Sequence, residues 1–438
     1  MVLFLCIIME NLFNLFYQCS GGVSTDTRAI KSDSLFVSLK GENFNGNKFA
    51  KKAIENGARY AIVDEKEFAN EKENIYLVEN CLQFLQKLAN KHRNKFNIPV
   101  IGITGSNGKT STKELMNVVL SKKYNVLATK GNLNNHIGVP LTLLELNNSH
   151  EIAIIEMGAN KPFDIQELCQ IAEPNYGIIT NIGKAHLEGF INFEGVVKTK
   201  TELYKSVLDK KGTLIVNSED EILIKNIPKG IKEIQYASNG LGDVNGELIR
   251  LTPYIELKWG CSDYQSSPIK TNMIGKYNYL NFLAAISTGV LFNVENKLIN
   301  QAIVDYTPTN NRSQIKKTES NTLILDCYNA NPTSMSSALE SFFLIENNSK
   351  KAIIGDMLEL GEESKVEHEK ILKKLDEYKI EYFTVGPIFI DCISNKAIKA
   401  FASTSELSEY LKINKLTDQL ILLKGSRGIS LEKLEQVL

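Results

Sequence analysis

The sequence predicts an α/β protein of three domains, and three observations predict it. Short apolar runs of β type alternate with helical stretches along most of the chain. One of those runs, VIGIT at 100–104, empties into a Gly/Ser/Asn loop followed by Lys109-Thr110 and a helical pattern. Past residue 310 the alternation begins again, with polar residues closing its strands. Continuous apolar strands alternating with helices imply parallel sheets covered on both faces. At 438 residues the chain is also too long for one hydrophobic core, which agrees with several domains.

The first domain, 9–97, holds LFVSLKG (35–41) and YAIVD (60–64) as strands, NKFAKKAIENG (47–57) as a helix, and a helix from 81 to about 96. Ahead of it, residues 2–8 form an apolar run far too short to span a bilayer. The run lacks the basic start and small-residue cleavage site of a signal peptide, so residues 1–8 receive no function. Pro99 opens the central domain, 98–310, whose strands are VIGITG, NVLAT (125–129), IAIIEMG (152–158), YGIITNIG (176–183) and GTLIVN (212–217). Helical stretches at 163–171 and 193–208 separate them, giving a mostly parallel sheet. Residues 245–274 alternate like an antiparallel edge, and a helix at 279–291 follows. The C-terminal domain, 311–438, repeats the alternation as a Rossmann-like unit with TLILD (322–326), AIIGD (352–356), YFTVG (382–386) and LILLKG (420–425). Its helices are expected near 333–346, 362–379, 404–412 and 430–438.

Hydrophobic content of 43% and charged content of 23% are those of a globular protein in water. A net charge of −1 argues against a general nucleic-acid binder and against stable membrane association. The seven cysteines (Cys6, Cys19, Cys81, Cys169, Cys261, Cys327, Cys392) include no C-x-x-C pair. They read as reduced thiols of a cytoplasmic protein, without a zinc site. A monomer is expected.

Residues 100–120 have the layout of a phosphate cradle. Gly105 and Gly108 let the backbone approach an anion, and the helix that follows adds its positive dipole end. Lys109 would reach the β/γ-phosphates of a nucleotide and the Thr110 hydroxyl a Mg²⁺ ion. The usual G-x-x-x-x-G-K-[ST] spacing is incomplete, because Ile103 stands at the first Gly. In open parallel sheets, ligands sit beyond the carboxyl ends of strands. Glu156 lies at such an end and suits Mg²⁺; otherwise it is a solvated strand-end carboxylate. His186 follows another strand end and by itself reads as a loop residue. Lys198, Lys200 and Lys205 by themselves read as a solvated helix face. Asn132, Asn134, Asn135 and His136 make either a turn or a polar ligand contact. Asp326–Pro332, Gly355-Asp356 and Lys424-Gly425-Ser426-Arg427 close later strands and together suggest a second binding face opposed to the phosphate loop.

GSNGKTSTKE (105–114), GNLNNHIGVP (131–140), IIEMGAN (154–160), TNIGKAHLEGF (180–190), DCYNANPTSM (326–335), GDMLELG (355–361) and LKGSRG (423–428) resemble the Mur ligase family. VSTDTRAIKSDSLFVSLKGENFNGNKFAKKAIENGA (23–58) resembles the family's uridine-nucleotide-binding domain. YNANP with GDMLELG points to the branch that adds D-alanyl-D-alanine. The resemblance implies an ATP-dependent ligase that joins D-alanyl-D-alanine to UDP-MurNAc-tripeptide through an acyl phosphate, in peptidoglycan precursor synthesis. It implies that Gly105, Ser106, Asn107, Gly108, Lys109, Thr110 and Ser111 hold the ATP phosphates. Asn278 and Asn281 would bind adenine, and Arg312 and Asp326 the rest of the nucleotide. Thr110 and Glu156 would hold one Mg²⁺. His186 and a carbamate on Lys200 would hold a second, with Lys109, His186 and Lys200 as the catalytic set. Asp26, Thr27, Arg28, Lys40 and Gly41 would take the UDP end. Asn134, Asn135, Tyr328, Asn329 and Asn331 would lie along the substrates.

The chain departs from the family pattern at Tyr277 (usually His), Thr201 and Asn311 (usually Gly), and in Phe44-Asn45-Gly46-Asn47 (usually Phe-Asp-Gly-His). Rival readings are a sister ligase adding the third amino acid, a folylpolyglutamate-type ligase, and a nucleotide-dependent switch. Convergence of ligands from several domains implies closure before chemistry.

Overall fold

The computed structural model describes residues 2–183, 187–190, 192–347, 349–393 and 399–438. They fall into two compact units. One comprises Met1–Gly102, Asn125–Met157 and Gln166–Pro174; the other comprises Ile103–Tyr124, Gly158–Ile165 and Asn175–Leu438. No helix among the described residues is long and apolar enough to cross a membrane.

In the first unit, residues 2–8 are the start of one continuous helix, Val2–Tyr17. Its Leu12, Phe13 and Phe16 are buried, with Phe13 on Phe84 (ring centroids 5.3 Å apart) and Phe16 edge-on to His92 (5.1 Å). The helix Cys81–Arg93 is opened by Asn80, whose side chain accepts the Gln83 N–H. It buries Phe84, Leu85, Leu88, Ala89 and His92, a stripe at the helical period. The helix ends before residue 96 because Arg93 turns to serve carbonyls. Its guanidinium donates to the oxygens of Ala172 and Phe96, both at 2.9 Å. A parallel sheet takes Val23–Ser24, Leu35–Val37, Tyr60–Val63 and Ile75–Leu77 in that order. LFVSLKG, expected as one strand, breaks in two. Leu35–Val37 is buried on both faces, and Lys40 cannot follow those residues into the core. Lys40–Gly41 instead pairs antiparallel with Phe44–Asn45. Val126–Ala128 pairs parallel with Ile152–Glu156, and the Ala153 N–H donates to the Pro99 oxygen, just before the strand Val100–Thr104.

In the second unit, Tyr176–Ile179, Thr213–Asn217, Lys232–Ala237 and Val244–Arg250 run parallel. The antiparallel edge expected over 245–274 is present as Glu256–Cys261, flanked by Tyr264–Gln265 and Ile269–Lys270. The Thr180 N–H donates to the Thr104 oxygen at 2.9 Å, so two strand ends meet beside the loop at 105–108. The helix Lys109–Leu120 packs along Tyr277–Leu291. A Cβ at Gly289 would lie 2.7 Å from Val119 Cγ1, so glycine permits the approach.

Residues beyond 311 form a sheet in the order Gln314–Lys317, Thr322–Leu325, Leu420–Lys424, Lys350–Gly355, Glu381–Val385, Lys399–Phe401, antiparallel only at its first pair. Alternate residues feed opposite cores: Ile324, Ile354 and Leu422 on one face, Leu323, Leu325, Ile353, Ile421 and Leu423 on the other. Residues 430–438, expected as a helix, form the 3₁₀ segment Leu431–Gln436. Ser430 enters it at φ 59°, and Leu431 and Leu434 are buried at the three-residue spacing that 3₁₀ geometry brings into line.

His92 is a buried imidazole with one fixed role. Its Nε2 donates to the Leu146 oxygen at 2.9 Å, and its Nδ1 is buried without a partner. Burial pushes its pKa down, so the folded state holds it neutral. The unfolded imidazole takes up a proton below about 6.5, so below that pH the unfolded state binds more protons and stability falls as pH falls. Unfolding free energies measured by urea titration down the acid limb will therefore decline by up to about 1.4 kcal/mol per pH unit from this group. His92→Gln, which keeps a donor and cannot titrate, will flatten that limb; an unchanged slope would refute the assignment.

Candidate functional site

The strand Val100–Thr104 is buried throughout, Ile103 included, so the residue at the missing first glycine is a core residue and the chain turns at Gly105. Gly105 has φ 147° and Gly108 φ 80°. A Cβ at Gly105 would collide with Thr180 Oγ1, and one at Gly108 would lie 2.7 Å from Asn281 Oδ1. The loop between them is pinned from one side. Ser106 Oγ donates to the Gly183 oxygen (3.0 Å), and the Ser106 N–H donates to the Asn181 oxygen (2.9 Å). The Asn107 oxygen accepts from Thr180 Oγ1 (2.6 Å) and Asn181 Nδ2 (2.9 Å). Lys109 Nζ reaches back to the oxygens of Gly105 (2.6 Å) and Ser106 (3.3 Å). Thr110 and Ser111 are buried in the first turn of the helix Lys109–Leu120. Loop, ammonium and helix N-terminus together form a site for an anion.

A chain of buried polar groups leads away from this loop. Thr112 Oγ1 donates to Asn281 Oδ1 (3.1 Å), and Asn281 Nδ2 to Asn278 Oδ1 (2.9 Å). Asn278 Nδ2 donates to the Ile274 oxygen (2.7 Å) and to Ser313 Oγ (2.9 Å). The Ser313 N–H donates to Asp326 Oδ1 (3.1 Å), and Asp326 pairs with Lys424 (2.9 Å), which also donates to the Asn329 oxygen (3.0 Å). Both asparagines expected at adenine are thus bonded within the chain. The sequence reading missed Thr112 and Ser313, which have no local signal.

The same region brings DCYNANP to the phosphate loop. Asn331 Oδ1 accepts the Ser334 N–H (2.9 Å) and caps the helix Pro332–Phe343, while its Nδ2 donates to Asn107 Oδ1 (2.8 Å). Arg312 lies 3.9 Å from the Tyr328 ring centroid. Lys200 sits on the buried face of the helix Phe193–Asp209 with Val196, Leu203, Tyr204 and Val207, and is 3% exposed. The solvated-face reading therefore fails for Lys200, although Lys198 and Lys205 are exposed. Burial, and then the nearby Lys109 ammonium, push the Lys200 pKa well down. His186 lies outside the described residues.

In the first unit, Glu156 is 1% exposed. Its Oε1 accepts from Asn134 Nδ2 (2.8 Å), and its N–H donates to Thr129 Oγ1 (2.9 Å). Asn135 Oδ1 accepts the N–H groups of Ile137 and Gly138, a turn role. Asp26 and Arg28 form an exposed ion pair that opens the turn Thr27–Ala29. The hydrogen-bonded Arg28 guanidinium pulls the Asp26 carboxyl down to about 2. Lys40 meets Asp64 (2.9 Å) and Glu65 (3.0 Å), beside the exposed Gly41. Asp64 and Glu65 close the strand Tyr60–Val63 and were visible as polar strand-end residues. Among the described residues no three His, Cys, Asp or Glu side chains cluster as a metal site. Oxygen donors of the type Mg²⁺ takes are present at Thr110 and Glu156.

Models of the Mur ligase family match most of the chain. Residues 21–93 match the family's catalytic domain, 103–289 its middle domain, and 311–427 its glutamate ligase domain. The chain belongs to the Mur ligase family. Among Mur ligases it is 34% identical to the UDP-N-acetylmuramoyl-tripeptide–D-alanyl-D-alanine ligase of Bacillus subtilis, over 94% of this chain and 92% of the relative. It is similar to a crystal structure of MurF from Acinetobacter baumannii (TM-score 0.85, 29% identity, 94% and 92% of the two chains). It is also similar to MurF of Thermotoga maritima in complex with ADP (TM-score 0.84, 26% identity, 97% of each).

The departures from the Mur ligase pattern have local explanations. Tyr277 bonds Ser313 Oγ through its hydroxyl (2.8 Å). Thr201 returns its hydroxyl to the Val197 oxygen within the helix (2.9 Å). Asn311 takes φ 51°, which asparagine tolerates better than most residues after glycine. Asn45 and Asn47 hold Glu65 (3.0 Å) and Asp64 (2.8 Å). Gly108→Ala, strained at its φ and pressed on Asn281, will lower kcat/KM by about 5- to 150-fold through about 1–3 kcal/mol of strain. Steady-state kinetics at varied ATP will read the loss, and parity with the parent would refute the crowding argument.

Proposed function

We propose that this Mur ligase joins D-alanyl-D-alanine to UDP-MurNAc-tripeptide at the expense of ATP, yielding ADP, phosphate and the pentapeptide precursor. The observation that carries the reading is the Asn331–Asn107 bond. It joins the DCYNANP loop, which follows the strand Thr322–Leu325, to the loop at 105–108. The reaction requires that juxtaposition, because an acid is phosphorylated and then captured by an amine at one place. The names of the relatives above support the choice of substrates. The three domains are proposed at 9–97, 98–310 and 311–438.

In the first step a carboxylate oxygen of the tripeptide attacks the γ-phosphorus and ADP leaves. In the second the amine of the dipeptide attacks the acyl carbon, the tetrahedral adduct collapses, phosphate departs and a proton is lost. Such transfers depend on positioning and charge neutralisation. The Lys109 ammonium would move from the loop oxygens to the phosphates, while the N-terminus of its helix faces the same charge. Mg²⁺, for which Thr110 offers an oxygen beside the loop, would supply further neutralisation. His186 and Lys200 belong to a second ion site in the family reading. Lys200 fits a carbamate, since burial beside Lys109 favours the neutral amine, and the neutral amine is the form that adds carbon dioxide.

Mass spectrometry of a reaction with UDP-MurNAc-tripeptide, ATP and D-alanyl-D-alanine will show the pentapeptide product. Diaminopimelate, lysine and glutamate as acceptors will give none; product with one of these instead would favour the sister ligases. With oxygen-18 in both oxygens of the tripeptide carboxylate, one labelled atom will pass into phosphate and the other will stay in the new amide; phosphate free of label would exclude an acyl phosphate. Lys109→Ala will lower acceptor-dependent phosphate release at least about 100-fold; turnover equal to the parent would remove the loop from the mechanism. Enzyme equilibrated with carbon-13 bicarbonate will show a carbamate resonance in NMR spectra that Lys200→Arg lacks. An active enzyme without that resonance would refute the modification.

A further inference from the structure

Three cationic side chains gather where strands of the sheet beyond residue 311 end, and only one of them is neutralised. Lys424 pairs with Asp326 at 2.9 Å. Arg312 and Arg427 both approach Tyr328, with guanidinium carbons 3.9 Å and 5.1 Å from its ring centroid. Arg427 Nη1 also donates to the Tyr328 hydroxyl oxygen at 3.1 Å. Among the described residues no carboxylate pairs with either guanidinium. Two unneutralised guanidinium groups about one phenol ring make an electropositive point, and the tyrosine keeps its own proton to donate. Arg427 is exposed, so its outer N–H groups are accessible.

Position narrows the anion. Tyr328 lies three residues before Asn331, whose amide touches the phosphate loop, and three residues of chain span at most about 11 Å. A dipeptide extended from its amine to its carboxylate spans roughly 7 Å. If the amine of an acceptor dipeptide meets an acyl phosphate at the loop, its carboxylate can reach the zone of Tyr328 and Arg427. A guanidinium fork matches a carboxylate bidentately, which an ammonium does not. A single amino acid, roughly 3.5 Å shorter, carries its carboxylate less far from the loop.

Resting on the ligase reading above, we propose that Arg427, braced by Tyr328, receives the C-terminal carboxylate of the dipeptide acceptor and sets the acceptor's length. Arg427 is then a specificity residue, while Arg312 remains with the nucleotide. The competing occupant of the Arg427 fork is a nucleotide phosphate, and the two occupants differ in which Michaelis constant responds.

The test compares D-alanyl-D-alanine with its C-terminal carboxamide as acceptors for the full chain, Arg427→Gln and Arg427→Lys. The parent will prefer the acid over the amide by about 10- to 100-fold in kcat/KM, the range of a charge-assisted pair. Arg427→Gln will lose that preference, raising KM for the acid while KM for ATP stays within about twofold. Arg427→Lys will recover part of it, because charge returns without the fork. A folding defect would weaken both acceptors equally and leave the acid preferred, so the ratio separates it from a binding role. Retained acid preference in Arg427→Gln, or a rise in KM for ATP in place of the acceptor's, would overturn the assignment. Absence of ligation by the parent with either acceptor would instead overturn the ligase reading, and this assignment with it.

Discussion

Asn281 occupies the point on which the second unit turns. Its side-chain oxygen takes the Thr112 hydroxyl and lies where any side chain on Gly108 would have to go, while its amide holds Asn278. Unpaired polar groups at such a depth would each cost about 1–3 kcal/mol. The groups beyond Asn281, through Ser313 to Asp326 and Lys424, keep one another satisfied. The loop at 105–108, the long buried helix and the strand ends beyond residue 311 are therefore arranged by one polar chain inside an otherwise apolar core.

Electrostatics along this chain are uneven in a way that suits phosphate chemistry. Lys424 is neutralised where it is buried, whereas the guanidinium groups of Arg312 and Arg427 rest on an aromatic ring with no carboxylate among the described residues. Lys109 is bonded to the carbonyl oxygens of Gly105 and Ser106. Its proximity weighs on Lys200, which burial already disfavours as a cation. Charge is thus retained where polyanions would be handled and suppressed in the interior.

The architecture was largely readable from the residues. Apolar runs such as VIGIT and LILLK became buried parallel strands, because side-chain periodicity and burial on both faces leave little else for them to be. The turn at 105–108 was readable because Gly105 and Gly108 serve backbone angles that few other residues accept. What escaped reading depended on partners distant in sequence. The phase of the helix Phe193–Asp209, and nothing in Lys200 itself, separates that lysine from Lys198 and Lys205. Ser313 matters through Asn278 and Asp326, which lie 35 and 13 residues away. LFVSLKG looked like one strand because a run of apolar letters does not reveal where a sheet stops accepting them.

Asn331 shows how narrow a position can become when two neighbours use opposite ends of one side chain. The helix it starts wants an oxygen, and Asn107 wants a hydrogen. Aspartate and serine could serve the helix but bring no amide to the loop, and glutamine would carry its amide one carbon too far out for the cap. At this single site the alphabet shrinks to one letter, for reasons that concern hydrogen placement and owe nothing to size or hydrophobicity.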